Sequence, residues 1–169
     1  MRARLTTGLT VATVALAVAA CTAAADGPST GTYSIKFPST AAAVATDTVQ
    51  LLVFEVPRAS GERADLCRTL IQARKRKEPQ RSVLQNQPVN ICEMLAGKKP
   101  LTIPYGEKAV LAVAQRKAND FLIGCAIQTF GEGDAPLPID LALVDVGVAV
   151  PDTTCASVGD FCQQKCPAL

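Results

Sequence analysis

Residues 108–130 read KAVLAVAQRKANDFLIGCAIQTF, and this stretch decides the fold. Its first part, 108–115, is rich in β-branched and small apolar residues, with Val110, Ala112 and Ala114 falling on one face. Ala118, Asn119 and Asp120 then supply turn chemistry. The second part, 120–130, alternates again, with Phe121, Ile123, Cys125 and Ile127 on one face. Two such runs joined by a short polar turn predict an antiparallel β-hairpin.

On the N-terminal side, 48–56 (TVQLLVFEV) is the clearest single strand. Val49, Leu51 and Val53 share one face with Glu55, while Gln50, Leu52, Phe54 and Val56 share the other, so both faces are expected to be covered. An earlier strand is expected over 32–37, with Tyr33, Ile35 and Phe37 on one side and Pro38 as its stop. Between these strands and the hairpin the period changes. Leu66, Leu70 and Ile71 recur at helical spacing within 61–77, Glu62 and Asp65 stand near the start, and Arg74, Lys75, Arg76 and Lys77 crowd the end before Pro79. One inserted helix is expected there. Residues 78–98 read as loop, with a helical turn near 92–96. Beyond the hairpin, 131–138 is a turn-rich connector and 139–150 (IDLALVDVGVAV) a further strand region, broken near Gly147 and ended by Pro151. In the tail, a short helix is expected over about 157–165, with Asp152 as a turn residue and Asp160 as a helix-start residue.

Strands punctuated by Gly and Pro predict a mainly β domain, specifically an antiparallel sandwich. The stretches IPYGEKAVLAVAQ, FLIGCAIQTF and IDLALV resemble the later strands of prealbumin-like and carboxypeptidase-regulatory-like sandwiches. The resemblance implies a prealbumin-like or Ig-like sandwich over 33–150. The helical insert at 61–77 and the cysteine tail at 151–169 depart from that pattern.

The first residues form a separate segment. Arg2 and Arg4 precede an uncharged, mostly apolar run ending in Val18-Ala19-Ala20-Cys21, the layout of a secretory signal. The apolar run is short and rich in Ala and Thr compared with a membrane-spanning helix of about 20 apolar residues. Val18-Ala19-Ala20-Cys21 resembles the bacterial lipobox. That resemblance implies cleavage after residue 20, acylation of Cys21, and membrane lipid as the partner of the acylated cysteine. Thr22 stands where Asp would favour inner-membrane retention, so the same resemblance implies the outer membrane. Residues 21–32, small and polar, read as a tether.

The signal holds two of the chain's 17 basic residues and none of its 15 acidic ones, so the remainder is formally neutral. A neutral domain lacks the basic field that nucleic-acid binding needs. The chain has no His, the commonest general base and transition-metal ligand, and no Trp.

Of the seven cysteines, reserving Cys21 for lipid leaves Cys67, Cys92, Cys125, Cys155, Cys162 and Cys166. An even set in an exported chain predicts three disulfides. No CxxC pair stands among them, which argues against zinc and against a redox-active dithiol. Cys155, Cys162 and Cys166 are spaced to share one face of a continuous helix, so the tail is expected to be stapled to the body, with Cys125–Cys155 as the first pairing to expect.

Other chemistry is sparse. There is no Gly-x-Ser-x-Gly elbow and no phosphate loop. Glu132, Asp134 and Asp140 could supply hard oxygens to calcium, although an exposed acidic turn is the simpler reading. Arg74, Lys75, Arg76 and Lys77 could contact an anionic surface, against the simpler reading of a solvated helix end. No cofactor is expected. The sequence favours a non-catalytic envelope module whose partner is another envelope protein. A disulfide-framed inhibitor or small-ligand binder, with 78–98 as its fixed loop, is the alternative, and a carboxylate-dependent hydrolase a remote third.

Overall fold

A computed structural model describes residues 31–97 and 101–166. Cys21, the expected signal and most of the expected tether lie outside the described residues.

Among the described residues the first elements are β1 (Tyr33–Lys36), α1 (Thr40–Val44) and β2 (Thr48–Glu55), followed by the long helix α2 (Ser60–Lys75). Two-residue strands β3 (Leu84–Gln85) and β4 (Val89–Asn90) lead into α3 (Ile91–Leu95). The hairpin strands are β5 (Gly106–Arg116) and β6 (Asn119–Phe130). Then come β7 (Leu137–Asp140), β8 (Ala142–Leu143) and α4 (Val158–Cys162).

The expected hairpin is the spine of the molecule. It pairs from Gly106 opposite Phe130 to Arg116 opposite Asn119, with one register shift at Ala114/Gln115. Lys117 and Ala118 make the turn with φ of 49° and 62°. Two consecutive left-handed residues give the type I′ twist that suits a two-residue hairpin. β2 lies antiparallel on the other side of β5, with Leu51 opposite Ala112 and Val53 opposite Val110. The sheet order is β3-β2-β5-β6-β8, and β4 also pairs with β2.

Both faces of this sheet are covered, as the lack of polar alternation in β2 predicts. Val49, Leu51, Val53, Val110, Ala112, Ala114 and Leu122 look toward one core. Leu52, Phe54, Ala109, Leu111, Val113 and Ile123 look toward a second core beneath α2. Burying each such Val or Leu contributes about 1.5–3 kcal/mol, so the three long strands are where stability concentrates.

Over the first face lies a two-stranded parallel ribbon, β1 with β7, in register from Tyr33 opposite Leu137 to Lys36 opposite Asp140. The ribbon crosses β6 closely: a Cβ on Gly124 would overlap the carbonyl oxygen of Asp140. Only glycine lets the two backbones approach there. The result is a mainly β fold with antiparallel pairing in its principal sheet, and the sheets do not close on one another.

Three details differ from expectation. Residues 40–44 form a helix, capped by Ser39, whose Oγ accepts from Ala42 N at 3.1 Å, and its small residues are buried against the first core. The strand region expected over 139–150 is shorter. Asp140 ends the ribbon, Ala142–Leu143 pairs with β6 only at Ile123 and Leu122, and bends follow. Within 78–98, read as loop, two short strands pair with β2.

Candidate functional site

Helix α2 is poorly equipped to dock by burial alone, since Leu70 is its one fully buried residue. A single stripe holds it down. Arg63, Cys67, Leu70 and Arg74 follow each other at four-, three- and four-residue steps, which puts them on one helical face. Arg63 pairs with Glu107 of β5. Cys67 is bonded to Cys125 in the middle of β6. Arg74 grips Asp120 at the start of β6 through Nε at 2.6 Å and Nη2 at 2.8 Å.

That last contact forms the wall of a cleft of about 470 Å³ between the end of α2, the β5–β6 turn and the segment after β8. Its lining includes Arg74, Lys75, Lys77, Gln115, Asn119, Asp120 and Asp145. Gln115 Nε2 also donates to Asp120 Oδ1 at 3.2 Å. Burial pushes the Asp120 carboxyl up. The hydrogen bonds from Arg74 and Gln115, with the charges of Arg74 and Lys77, outweigh it and hold the group below the usual carboxylate range. The Arg74 guanidinium is raised, chiefly by its hydrogen bonds to Asp120. Lys75 stands 3.8 Å from Asp145, a carboxylate that is 73% exposed.

The cleft sits at one end of the hairpin. At the other end Gly31 bridges to Ile103 and packs so tightly on Phe130 that a Cβ would overlap the ring. About ten residues of strand at roughly 3.4 Å each separate the two ends, a distance of about 30 Å.

The basic run expected to contact an anionic surface is therefore divided. Arg74 belongs to Asp120, Lys75 faces Asp145, and Arg76 pairs with Glu78 at 2.6 Å. Lys77 has no ion pair among the described residues. It occupies a left-handed backbone position (φ 57°) that closes α2, with its N–H donating to Arg74 O at 2.9 Å and Glu78 N–H to Ala73 O at 2.9 Å. Three carboxylates, Glu78, Asp120 and Asp145, line the cleft, but each has a basic partner. Glu78 and Asp120 are both held below their ordinary range, the reverse of what a general acid needs.

All six cysteines beyond Cys21 are paired: Cys67–Cys125, Cys92–Cys162 and Cys155–Cys166. The tail is bonded to the body, but through Cys162 to Cys92 of α3, and the expected Cys125–Cys155 bond does not form. The sheet itself forbids it. Cys125 faces the core under α2, whereas the tail residues Val158 and Phe161 pack on the opposite core. Nor is the tail one continuous helix. α4 ends at Cys162 and Gln164 turns left-handed (φ 57°), so Cys166 swings back to Cys155. Asp160 does stand at the helix start, where Ser157 Oγ accepts from its N–H at 3.0 Å.

Glu132, Asp134 and Asp140 do not assemble into a cation site. Among the described residues no group of three or more His, Cys, Asp or Glu is placed to hold a metal. Residues 83–90 lie along the free edge of β2. Val83 N–H donates to Val53 O at 2.8 Å, and the Asn86 side-chain oxygen accepts from Leu51 N–H at 2.6 Å while the Asn86 backbone N–H donates to Leu51 O at 3.2 Å. This segment is pinned to the sheet, yet Val83 is 54% exposed. Among the described residues no helix is long and apolar enough to cross a membrane.

No family model matches the chain, and comparison with curated proteins and with solved structures yields no match either.

Proposed function

We propose that this chain is an exported lipoprotein, anchored through an acylated Cys21, that serves the cell envelope as a non-catalytic interaction or structural module. One observation carries most of the weight. Cys67, Cys92, Cys125, Cys155, Cys162 and Cys166 satisfy one another, which leaves Cys21 as the one cysteine without a disulfide role. Three disulfides are compatible with an oxidising, exported location. Thr22 after the cysteine favours the outer membrane, with another envelope protein as partner. We read the principal sheet with its facing ribbon as an open variant of the prealbumin-like or Ig-like sandwich.

Intact mass of the protein recovered from membranes tests the reading. The expected species has lost residues 1–20, carries acyl mass on Cys21 and shows the mass deficit of three disulfides. A Cys21→Ser variant is expected in the soluble fraction. An unmodified Cys21 on a protein that still fractionates with membranes would sink the anchor.

The second reading, a disulfide-framed inhibitor or ligand binder, gains support from the pinned yet exposed segment 83–90, since a loop fixed before binding loses less entropy on capture. Val83→Asp tests it. Under this reading the variant folds normally and loses partners cross-linked in intact envelopes; unchanged partners would count against it.

A further inference from the structure

The geometry points to a second role for the cleft at the turn end of the hairpin: we infer that it binds an oligoanionic group, bearing phosphates or carboxylates, between Arg74, Lys75 and Lys77. The site is described by folded residues alone and does not depend on whether Cys21 carries lipid, so the two ideas fail separately.

Arg74 is prepared for a ligand in a way that a solvated arginine is not. Two of its nitrogens, Nε and Nη2, are committed to Asp120, and Gln115 fixes Asp120 in turn. The guanidinium plane is thereby set, while Nη1 takes no part in the Asp120 bonds. An anion meeting Nη1 finds a donor whose rotamer entropy is already spent. Lys75 is held only by an ion pair of 3.8 Å to an exposed Asp145, a contact worth little in water. That carboxylate is a placeholder that a better anion displaces. Lys77 completes the trio.

The charge count follows. Glu78 is engaged by Arg76. With the Arg76–Glu78 pair neutral, Arg74, Lys75 and Lys77 stand against Asp120 and Asp145, a local charge of one positive that rises to two when a ligand displaces Asp145 from Lys75. Such a site prefers a multivalent anion over a single carboxylate.

Backbone strain concentrates here as well. Of the four non-glycine residues with positive φ among the described residues, Lys77, Lys117 and Ala118 stand at this end of the sheet. At Lys117 and Ala118 the type I′ hairpin turn accounts for the conformation, so Lys77 is the position of interest. At Lys77 the strain keeps a charged side chain where glycine would close the helix more cheaply.

The test is titration of the intact, isotope-labelled chain with inorganic pyrophosphate and, in parallel, with citrate. NMR would follow the Arg74 Nε–H and the amides of Lys77 and Asn119. Saturable shifts at these groups are expected with at least one anion, and the tighter of the two identifies phosphate or carboxylate as the recognised chemistry. Lys77→Ala and Lys75→Gln should each weaken binding, and Asp145→Asn should tighten it, by about threefold for one exposed charge in each case. These variants leave the Arg74–Asp120 pair intact, and an unchanged urea midpoint would verify their folding. No saturable shift with either anion would overturn the inference. So would equal affinity in all variants, or weaker binding in Asp145→Asn, which would mark the cleft as a cation site or as a purely structural clamp.

Discussion

Arg74 and Asp120 form a two-point contact, Nε to Oδ2 and Nη2 to Oδ1, that ties the last turn of α2 to the start of β6. Both side chains are about a quarter exposed, so the pair is neither freely solvated nor sealed. Its removal should be felt as loss of the helix end rather than of the whole fold. Asp120→Ala is expected to destabilise by about 1–3 kcal/mol in urea unfolding, because Arg74 and Gln115 lose their shared acceptor. An equal loss in an Arg74→Ala, Asp120→Ala double variant would confirm that the effect belongs to the pair.

The same pair predicts an acid response. Asp120 titrates below its unfolded value, which is about 3.9. A carboxyl depressed in the folded state contributes stability that is fully present above the unfolded pKa and is lost as pH falls through the folded one. Stability should therefore decline below about pH 4, and Asp120→Asn should flatten that decline. A variant that keeps the full slope would assign it to other carboxylates.

Cys67–Cys125 should be the costliest disulfide for α2. The helix buries little, so breaking the bond leaves it held by three ion pairs, by Leu70 and by the half-buried Leu66 and Ile71. Cys67→Ala with Cys125→Ala is expected to cost about 2–4 kcal/mol and to raise hydrogen exchange across Ser60–Lys75 before it does so in β5. Equal exchange in helix and strand would contradict local release.

Gly124→Ala tests the crossing of ribbon and sheet. The new methyl overlaps the Asp140 carbonyl, and backbone cannot swing aside as a flexible side chain would. A loss of about 1–3 kcal/mol is expected from overpacking, with the largest amide shifts at Asp140 and Leu141.

Lys77→Gly separates stability from binding. Glycine removes the cost of a left-handed backbone at the helix end, so the variant should gain roughly 0.5–1 kcal/mol in urea while losing affinity for pyrophosphate. Loss of stability would mean that the Lys77 side chain supports the fold in its own right.

The long strands and α2 were legible in the sequence because each is governed by local pattern: alternation and turn residues for the hairpin, and end charges with 3.6-residue spacing for the helix. What escaped was set by partners distant in the chain. α1 carries few large apolar residues, and its small ones are buried by the layer they face; Ser39 ahead of Thr40–Val44 was the available cap signal. The first half of β7, Leu137 and Pro138, reads as connector because its partner β1 lies about a hundred residues earlier and pairs in parallel. The expected Cys125–Cys155 pairing failed for the same reason, while the three bonds and the stapled tail are present. Helical spacing places cysteines on a face only if the helix continues, and neither the left turn at Gln164 nor the sheet standing between Cys125 and the tail is written in the spacing. The basic run at Arg74 to Lys77 was visible as a run, but its partition among Asp120, Asp145 and Glu78 required two more segments to be folded beside it.

The parallel ribbon of β1 and β7 gives the molecule a mechanical character. A pull on the chain at residue 31, resisted at the turn end of the hairpin, runs along β1 and loads its bonds to β7 side by side. They must shear together, where an antiparallel hairpin pulled from its open end would unzip one rung at a time. Force arriving at Gly31 would thus load the ribbon in shear before it reaches the cleft about 30 Å away.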